Sequence, residues 1–255
     1  MKFLMIHAME LFQQFLWPFV RVSALFLTAP IFGANALNLR SRIAVGAAVT
    51  LLIFQQVEIP SISPFTISAL TSMLNEILIG SFMGLVLQIV AAAVILSGQV
   101  VSGGMGLGMA NMIDPNLGNI PTLSNFFLVL GLLAFLSLGG HLILISLLVD
   151  SFVHLPIGRS LLSMNAIESL LNWSSNMFVG AVALILPVVV CLLMINVCLG
   201  VISRASPSLN IFAVGFPALI PTGLLLITLT ISFYFSRLES IWYSSFQFLQ
   251  TLVGS

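Results

Sequence analysis

The segment GGHLILISLLVDSFVHLPIG contains three titratable side chains that are the first candidates for chemistry: His141, Asp150 and His154. Histidine and aspartate within an apolar segment could form a proton relay. A lone histidine on an apolar helix is more often a packing residue, and we favour that interpretation. The sequence has no Ser–His–Asp or Cys–His arrangement and no metal-binding histidine spacing. We therefore expect neither an intramembrane enzyme nor a metal or other cofactor.

Three isolated charges, Arg21, Glu76 and Arg204, lie beside or within apolar segments. A charge inside a membrane is costly and usually paired, so we expect a partner for Arg21 in this chain or a sister subunit, rather than snorkelling to an interface. Glu76 has two interpretations: an acid in the first turn of a helix capped by Asn75 or Ser72, or a buried partner between subunits. Arg204 follows an apolar helix. It is either a basic residue stabilised by the dipole at the end of that helix or one partner of an ion pair with a neighbouring subunit, and we slightly favour the first interpretation.

The segment SGGMGLGMANMIDPNLGNIP, residues 102–121, combines glycine and methionine with turn residues. Four glycines between Gly103 and Gly108 make a stable helix there unlikely, because each costs about 1 kcal/mol relative to alanine. Methionine is flexible and fills irregular apolar gaps. Asp114 followed by Pro115 is typical of a turn.

Three interpretations of this segment remain open from the residues alone. It can be a movable closure or constriction within a channel, because glycine bends and methionine forms a soft apolar contact. It can equally be a close helix crossing followed by a connecting loop. A third interpretation is the discontinuous helix of an ion-coupled transporter of small solutes, with Asp114 as the coupling carboxylate.

The elements that position these residues are those of a membrane protein. The 255 residues are 60% hydrophobic and 5% charged, with no net charge, whereas a soluble domain is about 25% charged. No basic cluster suggests nucleic-acid binding. Long Leu-, Ala- and Met-rich runs without alternation favour helices over strands, some kinked or broken at Pro187 and Pro217. The predicted helices are Leu11–Ala34, Ile43–Phe54, Ile67–Val101, Leu123–Phe152, Asn176–Ser203 and Ile211–Phe235.

Lysine and arginine do not assign an orientation to these six helices. With six spans, three basic residues would lie on each side: Lys2, Arg159 and Arg237 against Arg40, Arg42 and Arg204. The positive-inside rule therefore makes no choice. Sister subunits that cover irregular backbone at membrane depth are an alternative to a simple six-span topology.

Five segments, in this order and spacing, resemble the FliR family of flagellar type III protein-export gate subunits and, more weakly, its injectisome (SctT-like) counterparts. The segments are RVSALFLTAPIFG, NEILIGSFMGL, SGQVVSGGMGLGMANMIDP, GGHLILISLLVDSFVHLPIG and GVISRASPSLNIFAVGFPALIPTGLLLI. The resemblance covers nearly the whole chain. It implies a single domain over residues 1–255, built of helical hairpins that resemble a FliP-like part fused to a FliQ-like part.

The resemblance also implies a function and partners. Members of the family join FliP-like and FliQ-like subunits in a hetero-oligomeric gate in the bacterial inner membrane, within the flagellar basal body. FlhB-like and FlhA-like proteins act beside this gate, and unfolded flagellar subunits pass through its pore. The resemblance further implies that the segment within residues 102–121 acts as a pore plug. Relatives often carry an aromatic residue in this plug, where this chain has methionine and leucine. The plug residues are Gly103, Gly104, Met105, Gly106, Leu107, Gly108, Met109, Ala110, Asn111, Met112, Ile113, Asp114 and Pro115.

Overall fold

The computed structural model describes residues 2–33, 38–54, 57, 66–107, 122–158, 164–206 and 211–254. Every regular element in these ranges is a helix, which confirms the all-α prediction. The helices of this described part are α1 (Lys2–Thr28), α2 (Pro30–Gly33), α3 (Leu39–Ile53), α4 (Ile67–Gly104), α5 (Thr122–Ser137), α6 (Gly140–His154), α7 (Met164–Ser174), α8 (Asn176–Ala205) and α9 (Ile211–Gly254).

One helix was predicted from Leu123 to Phe152, and the structure divides it into α5 and α6. Gly139 lies at the break with φ +68°, a left-handed conformation that glycine adopts without steric cost. Its carbonyl then accepts hydrogen bonds from the backbone N–H groups of Leu142 (2.9 Å) and Ile143 (3.2 Å), which begins α6. An unbroken helix was therefore the wrong prediction here.

Other helix ends also differ from the prediction. α4 continues to Gly104 and α9 to Gly254, beyond the expected ends. The charges Arg237 and Glu239 do not end α9, because both are exposed on its surface. α7 was not predicted at all. The helices continue through Pro187 and Pro217, so neither proline ends a helix.

Three helical stretches of the described chain are long and apolar enough to cross a membrane. They are Ile67–Gly104, Asn165–Ala205, which joins α7 to α8, and Ala218–Gly254. α5 and α6 make a fourth if they are counted together as one bent span. The expected six long apolar helices are therefore not confirmed within the described ranges. The prediction of a membrane protein is supported by these long apolar helices.

The chain divides into two compact units, and α4 and α9 contribute to both. Unit 1 comprises Met1–Ile89, Gly139–Ser175 and Tyr243–Ser255. Unit 2 comprises Val90–Leu138 and Asn176–Trp242.

In unit 1, two glycines of α4 bring its backbone against α1. A Cβ atom on Gly80 would lie 2.9 Å from Ala24 Cβ, and one on Gly84 would lie 2.7 Å from Thr28 Cβ. Real Cβ atoms do not approach this closely. The Gly-x-x-x-Gly spacing places both glycines on one face of α4, as in close helix crossings of membrane proteins. This crossing sets the register between α1 and α4.

In unit 2, α4 also lies close to α5. A Cβ atom on Gly98 would lie 2.6 Å from the Ser124 Cα atom and 3.0 Å from the Phe127 ring. The Phe127 ring packs in turn on Tyr234 of α9, with ring centroids 4.9 Å apart. Three helices of unit 2 therefore share one apolar contact region near the start of α5.

We expect Gly80→Ala to destabilise the protein, because the added methyl group would collide with Ala24 and with the Arg21 carbonyl oxygen. Overpacking of this kind costs about 1–3 kcal/mol. Gly200→Ala in α8 is the matched control, since a Cβ atom there would meet nothing within 4 Å. Unfolding in detergent micelles, followed by circular dichroism during titration with SDS, measures the difference. Identical midpoints for the two variants would contradict the close crossing.

Candidate functional site

Arg21 of α1 and Glu76 of α4 form a buried ion pair within unit 1. Arg21 Nε donates a hydrogen bond of 2.6 Å to Glu76 Oε2, and both side chains have no solvent exposure. The guanidinium group also lies over the Phe152 ring, 4.1 Å from its centroid. The charge of Arg21 is thus compensated inside this chain, and its side chain does not snorkel to a surface.

The remaining donors of Arg21 bind the C-terminal end of α6. Nη1 donates to the carbonyl oxygen (2.9 Å) and to Oγ (3.0 Å) of Ser151, and Nη2 donates to the carbonyl oxygen of Leu155 (2.8 Å). The last carbonyl groups of a helix lack partners within that helix. A cation at this end is also favoured by the helix dipole. Arg21 therefore serves as the C-terminal cap of α6.

The register of the α1–α4 crossing explains why Glu76 meets Arg21. Glu76 precedes Gly80 and Gly84 by one and two helical turns, so all three lie on one face of α4. On α1, Arg21 likewise lies two turns before Thr28, which packs at Gly84. The close crossing at the glycines therefore aligns the carboxylate with the guanidinium group one turn away.

The position of Glu76 corrects one interpretation from the sequence. α4 begins at Ile67, so Glu76 lies in the helix interior and not in a first turn. Ser72 does not cap it, because its hydroxyl donates to the Ser68 carbonyl oxygen at 2.9 Å. Glu76 Oε1 makes no hydrogen bond within the described part of the chain. Glu76 is a buried partner for Arg21 within one chain.

This arrangement is suited to holding three helices together. Arg21 makes four hydrogen bonds, to α4 and to the end of α6. Removing one partner of a buried ion pair leaves an uncompensated charge and costs about 3–5 kcal/mol. The sequence analysis did not identify Ser151, Phe152 or Leu155. The Gly-x-x-x-Gly spacing one turn after Glu76 was the signal that could have indicated the crossing.

The structure does not bring His141 and Asp150 together. The two residues are nine positions apart on α6, which places them on opposite faces of the helix. Asp150 and His154 share a face and are exposed, but no hydrogen bond or ion pair between these two is found. Nothing in the described structure assembles the proton relay considered from the sequence.

Arg204 lies in the last turn of α8 and is exposed to solvent. A cation in this position interacts favourably with the helix dipole. The favoured interpretation from the sequence is therefore consistent with its position.

The segment with the expected plug residues is described only as far as Leu107. Gly103 and Gly104 form the last turn of α4, so helix continues further than the glycine content predicted. Met105 is 1% exposed, and Gly106 has a φ of +77°. The remaining expected residues, Gly108, Met109, Ala110, Asn111, Met112, Ile113, Asp114 and Pro115, lie outside the described residues.

We expect Glu76→Gln to destabilise the protein by about 3–5 kcal/mol, because Arg21 would stay buried without a counter-charge. Glu239→Gln is the control, since Glu239 is exposed on α9. The SDS titration described above measures both variants. Equal midpoints would contradict a structural role for the pair.

A double-mutant cycle tests whether the two residues act together. Arg21→Met combined with Glu76→Met removes both charges, so we expect it to destabilise the protein less than the sum of the two single changes. If the changes in the free energy of unfolding were additive, the two side chains would not be energetically coupled.

Comparison with known proteins places these features in a family. A model of the family described as bacterial export proteins, family 1, matches residues 12–245. The flagellar biosynthetic protein FliR of Escherichia coli (strain K12) is 34% identical over 241 residues, which cover 94% of this chain and 92% of the relative. The protein of that name from Pectobacterium carotovorum subsp. carotovorum is 37% identical over 213 residues, covering 83% and 82%.

The similarity extends at nearly full length to a relative with lower sequence identity. The flagellar biosynthetic protein FliR of Bacillus subtilis (strain 168) is 27% identical over 249 residues, covering 96% of each chain. Both the Arg21–Glu76 pair and the end of α4 lie within the residues that the family model matches. The chain therefore belongs to the family of bacterial export proteins, family 1.

Proposed function

We propose that this protein is a non-enzymatic core subunit of the flagellar type III export gate. Family membership and the apolar helices support a membrane component of flagellar protein export. The finer proposal is that it forms, with FliP-like and FliQ-like subunits, a pore for unfolded flagellar proteins. FlhB-like and FlhA-like proteins are its further proposed partners, and the inner membrane at the basal body is its proposed location.

The exposed apolar surface of α8 supports a place within an assembly in the membrane. Large apolar side chains recur along this helix at intervals of three and four residues and are more than half exposed in most cases. They include Val179, Val182, Leu186, Val190, Leu193, Val197 and Val201. Surfaces of this kind are covered by lipid or by another protein. Both are available to a subunit of a membrane-embedded gate.

The single observation that carries the plug proposal is the end of α4. The helix stops where glycine and methionine begin to alternate, and the left-handed Gly106 turns the chain away from the helix axis. The next helix that the structure describes, α5, begins at Thr122. We propose that Gly103–Pro115 forms the pore plug, with glycine allowing it to bend in a narrow lumen and methionine sealing that lumen.

We expect deletion of residues Met109–Ile113 to leave the subunit assembled but to make the closed gate leaky. The deletion shortens the proposed seal and leaves the end of α4 intact. Ion conductance of membranes that contain the assembled complex measures the leak. Co-purification with the FliP-like and FliQ-like subunits confirms assembly. Unchanged conductance in an assembled complex would contradict the plug.

A length-preserving variant provides the matched comparison. Met109→Gln combined with Met112→Gln keeps the length and flexibility of both side chains but replaces apolar atoms with polar ones. Since the proposed seal is apolar, we expect this variant to leak as well. A leak in the deletion alone would mean that length, rather than apolar contact, closes the pore.

A further inference from the structure

Two buried polar atoms of unit 1 have complementary hydrogen-bonding needs. Trp17 Nε1 and Glu76 Oε1 both lack a hydrogen-bond partner among the described residues. The Trp17 side chain is 1% exposed, and Glu76 is fully buried. An indole N–H can only donate a hydrogen bond, whereas an oxygen of an ionised carboxylate can only accept one. Each of these two groups therefore needs what the other can supply.

α1 and α4 run in the same direction where they cross. Gly80 of α4 lies against Ala24 of α1. One turn further along both helices, Gly84 lies against Thr28. Residues that precede the crossing by equal distances on the two helices therefore lie at the same level.

Trp17 and Glu76 lie at one such level. Gly80 also meets the backbone carbonyl oxygen of Arg21. Trp17 precedes Arg21 by four residues on α1, and Glu76 precedes Gly80 by four residues on α4, so both lie one turn before this contact. The hydrogen bond from Arg21 Nε to Glu76 Oε2 shows that the carboxylate is turned toward α1. The indole and the carboxylate are thus neighbours in the packing of the two helices.

The two unpartnered atoms do not bond to each other directly. Packed helices cross at angles of about 20–50°, so they separate on either side of their closest point. That point is at the glycines, and Trp17 and Glu76 lie one turn away from it, where more space is left between the helices. Buried polar groups without a protein partner commonly bind an ordered water molecule. Water can accept a hydrogen bond from an N–H group and donate one to a carboxylate, so one molecule satisfies both.

From this geometry we infer that one ordered water molecule bridges Trp17 and Glu76. Its oxygen accepts a hydrogen bond from the Trp17 indole N–H, and one of its O–H groups donates to Glu76 Oε1. The other carboxylate oxygen, Oε2, is already held by Arg21. Trp17 is then a positioning residue for the Arg21–Glu76 pair and acts on it through the water. This inference concerns the packing of α1 on α4 and is independent of the proposed plug.

Nuclear magnetic resonance can detect this water at the indole proton. The chain has three tryptophans, so Trp17→Phe identifies the Trp17 signal in the full-length protein labelled with ¹⁵N-tryptophan in detergent micelles. We expect a cross-peak between the Trp17 indole proton and water. Its sign in a rotating-frame experiment distinguishes a bound water from exchange of the indole proton. Absence of a cross-peak with the sign of bound water overturns the inference.

Removing the acceptor tests whether the water is held by Glu76. Arg21→Met combined with Glu76→Met removes the carboxylate without leaving a buried charge, so we expect the cross-peak to be lost. Glu239→Gln is the control, because it changes an exposed carboxylate of α9 and should keep the cross-peak. A cross-peak that persists in the folded double variant overturns the bridge to Glu76.

The energetic cost of Trp17→Phe provides a second test, measured by SDS titration. The smaller ring removes volume in any background, but only with Glu76 present does the loss of the N–H group also weaken a hydrogen-bonded link to a carboxylate. We therefore expect Trp17→Phe to lower the folding equilibrium constant about tenfold more in the wild-type protein than in the Arg21→Met, Glu76→Met background. Equal effects in the two backgrounds overturn the positioning role of Trp17.

Discussion

An arginine buried among apolar helices needs a complete set of acceptors, and Arg21 constrains unit 1 for this reason. Glu76 supplies the opposite charge, and the carbonyl oxygens of Ser151 and Leu155 at the end of α6 accept hydrogen bonds from the guanidinium group. A buried charge without these groups would cost several kcal/mol. α4 and the end of α6 supply these acceptors to Arg21 of α1 in one arrangement, so the pair specifies how the three helices pack as well as holding them together.

Glycine makes that arrangement possible and also leaves space for a side chain elsewhere. At Gly80 and Gly84, backbone meets neighbouring backbone or Cβ atoms, which cannot move away without moving a helix. At Gly223, the space left by glycine is filled by the end of a methionine side chain. The same missing Cβ atom thus allows a backbone crossing in unit 1 and a contact with a flexible side chain in unit 2.

Several elements could be predicted from local sequence, and the errors have physical causes. The long apolar runs identified most helices, because their composition alone excludes a solvated surface. The break at Gly139 was missed, since an apolar run shows no interruption when its turn is made by a glycine within it. α7 was missed because its polar residues weaken the apolar signal. Glu76 was assigned to a possible cap because the pattern of charges marks segments but does not show which face of a helix a charge occupies.

The sequence by itself determined that this is a helical membrane protein, that its few charges are isolated, and that glycine and methionine are concentrated after one long helix. Each of these is a property of composition or of neighbouring residues. Only the tertiary structure decided that Arg21 meets Glu76 and the end of α6, and that Met105 meets Gly223. These partners are far apart in the chain, and their contact depends on the crossing points and rotations of whole helices. Those are set by packing many side chains at once, so no single motif encodes them.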